Sequence, residues 1–299
     1  MLMLECVPNV SEGRDVTAIR RIADAVAAVP GVRLLDLHSD AVHHRSVLTL
    51  VGGAAALRDA IVVLCDATIA HVDLRHHRGA HPRIGAVDVV PFVPLEDATM
   101  QHCVAAARDT AEAVAAHCEL PVYLYGEAAT RPERRALEAV RRGQFEGLAE
   151  KMRQPDGTPD FGPAIPHPRA GAVAIGARRL LVAFNINLAT DRLDVAARIA
   201  RAVRESSGGL PCVKAMAVRL ADDGPMQVSM NLTDLDRTSL STVFEAVSRE
   251  AALDGVAVLE SEIVGLVPAR ALAEAAARYL RLPLASTDRV LETRLGASR

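Results

Sequence analysis

The segment His76–Asp88, HHRGAHPRIGAVD, combines three histidines and two arginines with glycine and proline. Its glycines permit backbone conformations closed to other residues, and Pro82 restricts the backbone at His81. The imidazole of His81 is therefore expected on a constrained loop beside Arg83. Because an unperturbed histidine titrates near neutral pH, it can both take and give a proton. The segment predicts general acid–base chemistry at His81.

A metal site is a rival interpretation of this segment, since His71, His76, His77 and His81 lie close together in the sequence. Zinc needs three or four converging ligands, whereas adjacent His76 and His77 would point apart in a strand. No HExxH motif or CxxC pair accompanies them. The plainer alternative, loop histidines without a chemical role, is favoured for His76 and His77. The sequence therefore predicts no metal site.

Two further groups of polar residues are candidates for ligand binding. The hairpin His38–Ser46 carries His44, which could hydrogen-bond a ligand, and Arg45, which could hold an anion. An exposed polar turn is the alternative. Asparagines also follow apolar runs, where an amide either orients a ligand or forms a turn. These are Asn9, Asn185, Asn187 and Asn231.

Length and composition restrict the class of protein. A chain of 299 residues predicts two domains of roughly 150 residues each. Half of the residues are hydrophobic but only 3% are aromatic, so the core must be aliphatic. The net charge of −3 argues against a nucleic-acid partner. With no apolar run of ~18 residues, no signal-peptide pattern and no CxxC pair, the sequence predicts a cytoplasmic protein without a membrane span.

Hydrophobic periodicity predicts the order βαββαβ in both halves of the chain. The elements expected in the first half are strands 2–7, 32–37, 46–51, 86–93 and 121–125, and helices 15–29, 54–70 and 98–117. Those expected in the second half are strands 180–188, 212–220, 226–232 and 256–263, and helices 190–204, 239–253, 268–280 and 288–295. Thr190 is the expected N-cap of its helix. This order predicts an α/β (α+β) fold of two ferredoxin-like subdomains, 1–176 and 177–299.

The segment 155–177 between the predicted halves contains five prolines. A segment of this length without regular structure is usually a functional loop or a linker, and a functional loop is favoured here. The arginines between 131 and 142 are interpreted as solvated helix faces, with an anion-binding role as the alternative. Glu127 is expected to pair with Arg131 or Arg135.

Seven motifs between about Leu4 and Leu280 extend these observations: ECVPNVSEGR, GAHPRIGAVDVVPFVP, PVYLYGEAATRPERR, DFGP, GARRLLVAFNINL, QVSMNLTD and EIVGLVP. In sequence and in order they resemble the glutamate formimidoyltransferase family. That family includes the transferase part of bifunctional formimidoyltransferase-cyclodeaminases. The resemblance implies transfer of a formimino group from N-formimino-L-glutamate to N5 of tetrahydrofolate. It also implies two α/β subdomains whose sheets pack together, with the folate ligand between them.

The resemblance assigns roles to particular residues. The catalytic histidine of the HPR motif falls on His81. By their own chemistry, and not through the resemblance, Arg83 or Arg45 is the candidate to hold the glutamate carboxylates. The other candidate ligand-binding residues come from the polar groups described above rather than from the resemblance, and they are Asn9, His44, Asn185 and Asn187. The implied folate-binding segment comprises Phe161, Gly162, Pro163, Ala164, Ile165, Pro166, His167, Pro168, Arg169, Ala170 and Gly171.

The resemblance also implies a homodimer and tetrahydrofolate as co-substrate, with or without a polyglutamate tail. A separate cyclodeaminase is expected to act on the product. The hairpin departs from the family, which commonly has an acidic residue where His38 stands and asparagine where His44 stands. Another donor such as N-formylglutamate therefore stays an alternative, as do a non-catalytic folate-binding protein and a metal-dependent hydrolase.

Overall fold

A computed structural model describes residues 2–79, 81–220 and 224–283. The chain divides into two compact units, Met1–Leu180 and Leu181–Arg299. The helix predicted over 288–295 lies outside the described residues, as do residues 221–223 between the predicted strands 212–220 and 226–232. No helix in the described ranges combines the length and the apolar character needed to cross a bilayer.

The first unit contains seven strands and five α-helices among its described residues. The strands are β1 Leu4–Cys6, β2 Asn9–Val10, β3 Val32–Asp40, β4 Arg45–Gly52, β5 Val87–Pro94, β6 Val122–Gly126 and β7 Val173–Ala177. The helices are α1 Val16–Ala27, α2 Ala54–His71, α3 Met100–Cys118, α4 Leu137–Val140 and α5 Leu148–Met152. A short 3₁₀ helix, Pro132–Arg134, precedes α4.

The antiparallel part of the first sheet has the ferredoxin-like arrangement of four neighbouring strand positions. Strand β3 pairs with β4, and both β1 and β2 lie between β4 and β5. Beyond β5 the sheet continues with β7 and then β6. The pairs β5–β7 and β7–β6 are both parallel. The predicted ferredoxin-like order is therefore present, but two parallel strands extend the sheet beyond it.

Helices α1 to α3 supply apolar residues to the same core as one face of this sheet. Helix α1 shows why: Ile19, Ile22 and Val26 recur at helical spacing and are buried. Asp15 caps the helix by accepting hydrogen bonds from the backbone N–H groups of its first turn. The large aliphatic and alanine content thus becomes a tightly packed core with few aromatic rings.

The second unit is ferredoxin-like in strand order. Its elements are β8 Val182–Leu188, α6 Leu193–Val203, β9 Val213–Arg219, β10 Met226–Leu232, α7 Leu240–Ala252, β11 Val258–Val264 and α8 Ala269–Tyr279. The strands lie in the order β11, β8, β10, β9, and every neighbouring pair is antiparallel. The predicted α+β fold of two subdomains is confirmed.

Two predictions about local structure were wrong. Thr190 is not the N-cap of α6: Arg192 occupies that position, and the Thr190 hydroxyl accepts from its backbone N–H instead. The segment 155–177 is not entirely irregular, since residues 173–177 form β7. The sequence VAIGA is a weak strand signal because it contains alanine and glycine, and its pairing with β5 and β6 supplies the missing stabilisation.

Candidate functional site

The loop that carries His81 connects α2 to β5 and is fixed by backbone hydrogen bonds at both ends. The Leu74 N–H donates to the Arg169 carbonyl, and the Ala86 N–H donates to the Ala170 carbonyl. The hydroxyl of Ser11 donates to the Gly85 carbonyl at 2.7 Å. These bonds place the His81 loop against the end of the segment predicted to bind folate.

The two glycines of the loop are required by close approach. A Cβ at Gly79 would lie 2.6 Å from the His43 carbonyl oxygen, and one at Gly85 would lie 1.9 Å from the Ala172 oxygen. Neither glycine has a positive φ. The predicted constraint on the loop is therefore present, but its cause is backbone packing rather than a left-handed conformation.

Two basic side chains, Arg45 and His43, lie beside the half-buried imidazole of His81. Arg45, the first residue of β4, places Nη1 2.6 Å from His81 Nε2. The ring of His43 lies 6.4 Å from that of His81, and His43 Nδ1 donates to the Asp40 carboxylate at 2.7 Å. Because a guanidinium only donates, His81 Nε2 must be the acceptor and carries no proton.

The electrostatics of this cluster agree with that protonation state. Burial lowers the pKa of His81 far below its ordinary value, and the charges of Arg45 and Arg141 lower it further. Burial and Arg141 also lower the pKa of Arg45 to about 10, against the opposing effect of Asp88 and Asp40. Arg141 is itself paired with Asp88, which is 1% exposed. His81 is therefore a neutral base held in a cationic environment.

Asp40 sets the position of His43 at this edge of the cluster. Its carboxylate accepts hydrogen bonds from the backbone N–H groups of Val42 and His43, at 2.7 and 2.8 Å. Burial alone would raise the pKa of Asp40, but the hydrogen bonds from His43 and Val42 outweigh it and lower the pKa to about 2. The hairpin is thus built around an ionised carboxylate.

Arg83, the neighbour of His81 in sequence, is engaged elsewhere. Its guanidinium forms a two-pronged pair with Glu146, at 2.7 and 2.9 Å, and its Nε donates to His77 Nδ1 at 3.1 Å. His77 Nε2 in turn donates to the His44 carbonyl at 2.9 Å. Burial lowers the pKa of His77, as does the charge of nearby Arg83. Arg83 and His77 therefore connect the His81 loop to the hairpin.

His44 completes this connection. Its ring stacks on His77 with 4.1 Å between centroids, and its backbone has a φ of +51°. Its Nδ1 lies 3.0 Å from the Arg78 carbonyl oxygen, and its Nε2 lies 3.0 Å from a Glu12 carboxylate oxygen. A positive φ is uncommon outside glycine, although asparagine, aspartate and histidine adopt it more often than other residues. His44 therefore supports the hairpin through both ring nitrogens.

The predicted folate-binding segment Phe161–Gly171 is anchored at both ends and exposed in its middle. The Val122 N–H donates to the Phe161 carbonyl, and His167 and Gly171 exchange two backbone hydrogen bonds. Ile165 is 71% exposed. A fixed loop that presents an apolar side chain to solvent suits contact with a flat organic ligand.

The predicted asparagines lie in two different environments. Asn9, in β2 of the first unit, donates from Nδ2 to the Val7 carbonyl at 2.9 Å. Asn185 and Asn187 lie in β8 of the second unit, where their amides donate to Glu262 and Glu260. The structure does not bring Asn9 to the His81 cluster through any hydrogen bond among the described residues.

Sequence reasoning missed a buried polar side chain beside these asparagines. Gln227 of β10 is 1% exposed, and its Nε2 donates to Asn187 Oδ1 at 2.9 Å. Its Oε1 has no hydrogen-bond partner among the described residues. The alternation of polar and apolar residues in MQVSM and VLESEIV signals such a polar sheet face. It also missed Asp40, whose hydrogen bonds come from its near neighbours Val42 and His43, and Arg141, whose partner Asp88 is distant in sequence.

Within the described ranges, no group of three or more His, Cys, Asp or Glu side chains could hold a metal ion. The cluster around His81 offers a neutral imidazole, a guanidinium and an ion-paired support. This arrangement is suited to moving a proton beside an anionic ligand.

Fold and site thus define an α+β protein with two ferredoxin-like units and, in the first, a histidine hydrogen-bonded to an arginine. Family models describe the same division. The formiminotransferase domain, N-terminal subdomain, matches residues 3–178, and the formiminotransferase domain matches residues 183–289. The chain belongs to the formiminotransferase domain family, which confirms the resemblance read from the motifs.

Curated relatives agree with this assignment. The chain is 45% identical over 280 residues to glutamate formimidoyltransferase of Streptococcus pyogenes serotype M1, covering 94% of each chain. It is 45% identical over 297 residues to that of Thermoplasma acidophilum, covering 99% of this chain and 98% of the relative. Identity to formimidoyltransferase-cyclodeaminase of Rattus norvegicus is 41% over 283 residues. That match covers 93% of this chain and 52% of the relative, so the chain spans about half of the bifunctional protein.

Proposed function

We propose that this chain transfers the formimino group of N-formimino-L-glutamate to N5 of tetrahydrofolate, with His81 as general base and then general acid. Tetrahydrofolate is a co-substrate in this reaction and glutamate is the second product. The full-length similarity to glutamate formimidoyltransferases supports the reaction. The observation that supports the role of His81 is its neutral Nε2, held 2.6 Å from the Arg45 guanidinium.

The reaction needs one proton to be removed and returned. The N5 lone pair attacks the carbon of the protonated formimino group, while the carbon–nitrogen π electrons move to the terminal nitrogen. His81 accepts the N5 proton, which leaves a neutral tetrahedral intermediate. The bond to the glutamate nitrogen then breaks as that nitrogen takes the same proton from His81. The products are protonated 5-formiminotetrahydrofolate and glutamate, so atoms and charge balance.

The surrounding residues receive supporting roles in this proposal. Arg45 lies at the reacting imidazole and is assigned to a donor carboxylate, because guanidinium forks match carboxylates. Arg83 is assigned to positioning, since Glu146 and His77 occupy its donors. His44 and Asn9 are assigned to holding the hairpin and the first strands in place.

Folate contacts are assigned to each unit separately. In the first unit the exposed middle of Phe161–Gly171, above all Ile165, would contact the apolar surface of the ligand. In the second unit Asn185, Asn187 and Gln227 offer amides, and the unpartnered Gln227 Oε1 would accept an N–H group of a bound ligand. Arginines near Phe161–Gly171 would bind the carboxylates of a polyglutamate tail.

A turnover assay with two donors tests the reaction. Tetrahydrofolate is supplied with N-formimino-L-glutamate or N-formyl-L-glutamate, and the folate product and released glutamate are both measured. Turnover with the formimino donor is the expected result. Turnover with the formyl donor alone would show that the donor is N-formylglutamate and would point to the His38–Ser46 hairpin as the origin of that specificity. No turnover with either donor would refute the proposed reaction.

The role of His81 is tested by H81A. Loss of the acid–base group is expected to reduce turnover by ~10²–10⁴-fold while folate binding, measured by calorimetry, stays close to that of the unchanged protein. H76A is the matched control, because His76 is an exposed histidine of the same loop. Turnover of H81A within tenfold of the unchanged protein would show that His81 is not the acid–base group.

The cytoplasmic location, the homodimer and a separate cyclodeaminase stay predictions of the sequence. We propose the homodimer on the family resemblance alone. Sedimentation of the purified protein at assay concentrations would test it directly.

A further inference from the structure

We infer that Arg45 is a cap on the catalytic base that the donor substrate removes. In the free protein the Arg45 guanidinium occupies His81 Nε2; a carboxylate of the bound donor draws the guanidinium away and frees Nε2 for the N5 proton. This inference rests on the proposed function and adds to it a specific order of events.

The hydrogen bond between Arg45 and His81 carries the first step. A neutral imidazole has one nitrogen lone pair in the ring plane, and a guanidinium has donors only. With Arg45 Nη1 2.6 Å from His81 Nε2, that lone pair is already committed. A base in this state cannot accept a proton from N5 until the guanidinium moves.

The second step is that Arg45 differs from the other arginines of the cluster. Arg83 is held by the Glu146 carboxylate, and Arg141 is held by Asp88. Within the described residues, the hydrogen bond to His81 is the one side-chain hydrogen bond of Arg45. Its guanidinium therefore keeps donors for an incoming carboxylate, which would be a stronger partner than a neutral imidazole.

The third step is that Arg45 can move at its tip while its backbone stays fixed. Its backbone belongs to β4, where Arg45 is paired with Asp40 of β3. Its guanidinium is buried, but within the described residues no carboxylate hydrogen-bonds to it. A shift of the guanidinium therefore requires rotation of side-chain bonds and no change in the sheet.

Charge gives the movement its effect on the base. The groups facing His81 are Arg45 from β4, Arg141 from the end of α4 and His43 from the hairpin, with Asp40 and Asp88 near Arg45. The first three all disfavour a positive charge on His81. A donor carboxylate paired with Arg45 would offset one of them, so His81 could hold the N5 proton during the reaction.

The proton path follows from this order. With Nε2 free, the N5 proton passes to Nε2 as the bond from N5 to the formimino carbon forms. The same proton passes to the glutamate nitrogen as its bond to that carbon breaks. Arg45 exchanges neither protons nor electrons; it makes the availability of the base depend on a bound donor.

The test is an NMR titration of the full-length protein with isotope-labelled histidine, in which H81Q assigns the His81 signal. L-Glutamate serves as the probe, because it has both carboxylates and no formimino group. We expect saturating glutamate to raise the His81 titration midpoint by roughly 1 pH unit or more, the size of a single close-charge effect. In R45M the midpoint should be raised without glutamate, and glutamate should add no further rise.

The controls separate the cap from a general structural effect. R58M removes an exposed arginine of α2 that is paired with Asp59, and should titrate like the unchanged protein. R45K keeps the charge without the fork and should fall between the two, which keeps the test usable where R45M is poorly folded. R45M should also raise the KM for the formimino donor at least tenfold and leave the KM for tetrahydrofolate within about threefold.

Two results would overturn the cap. One is an unchanged His81 midpoint under glutamate concentrations at which calorimetry shows binding. The other is an R45M midpoint equal to that of the unchanged protein. Either result, in a protein that turns over N-formimino-L-glutamate, refutes the cap alone. Absence of turnover with that donor refutes the proposed function instead.

Discussion

The support of the predicted folate segment depends on one buried ion pair, and R134M removes its cationic half. Arg134, 7% exposed, donates to Asp160 at 2.7 Å and to the carbonyls of Asp156 and Thr158 at 2.8 and 2.5 Å. Asp160, 8% exposed, also accepts the Leu124 N–H at 2.8 Å. The pair therefore ties the chain just before Phe161–Gly171 to strand β6.

The expected cost follows from the burial of both partners. Removing one member of a buried pair typically costs ~3–5 kcal/mol, because the other charge is left uncompensated. Asp160 retains hydrogen bonds from Leu124 and Thr130, so the lower end, about 3 kcal/mol, is expected for R134M. Replacing the carboxylate as well, in R134M/D160N, removes that unpaired charge. The double variant should therefore recover at least ~1 kcal/mol relative to R134M.

Urea unfolding followed by circular dichroism measures these free energies of unfolding. R153M is the matched control, since Arg153 and Glu150 form an exposed pair, 73% and 67% exposed, and its loss should cost less than ~1 kcal/mol. A cost for R134M no larger than that for R153M would refute the reasoning. The proposed function adds that R134M should weaken folate binding, because the loosened segment must be ordered again by the ligand.

Two further perturbations test the hairpin and loop that hold His81. G85A should destabilise the protein by about 1–3 kcal/mol in urea unfolding, because the new Cβ would lie 1.9 Å from the Ala172 oxygen; a change below ~0.5 kcal/mol would contradict the close approach. D40N should lower the free energy of unfolding by up to ~2 kcal/mol at pH 5, and by less at pH 3. The fold lowers the pKa of Asp40 from 3.8 to about 2, so the ionised Asp40 stabilises the fold above pH 4. This stabilisation is lost as the pH falls towards 2. D97N, at an exposed aspartate, should show no such trend, and a D40N cost that is equal at both pH values would show that the Asp40 charge does not stabilise the hairpin.

Local patterns were sufficient for most of the fold. The spacing of Ile19, Ile22 and Val26 places α1, and the order of the predicted helices and strands gives the ferredoxin-like part of each unit. The ion pair of Glu127 with Arg135, one of two predicted partners, is confirmed. It was predictable because the two residues are only eight positions apart. Strand β7 escaped detection, since its stability comes from two neighbouring strands rather than from its own composition.

The sequence by itself determined that His81 lies on a constrained loop among basic residues, because the glycines and the proline around it indicate a loop locally. It did not determine which arginine accompanies the imidazole. Arg83 is two positions away but is held by Glu146, whereas Arg45 is 36 positions away and contacts Nε2. Only the pairing of β3 with β4, and the packing of the loop against their hairpin, brings Arg45 to His81. The protonation of the base is therefore decided by tertiary contacts, because burial and charge depend on neighbours in space rather than in sequence.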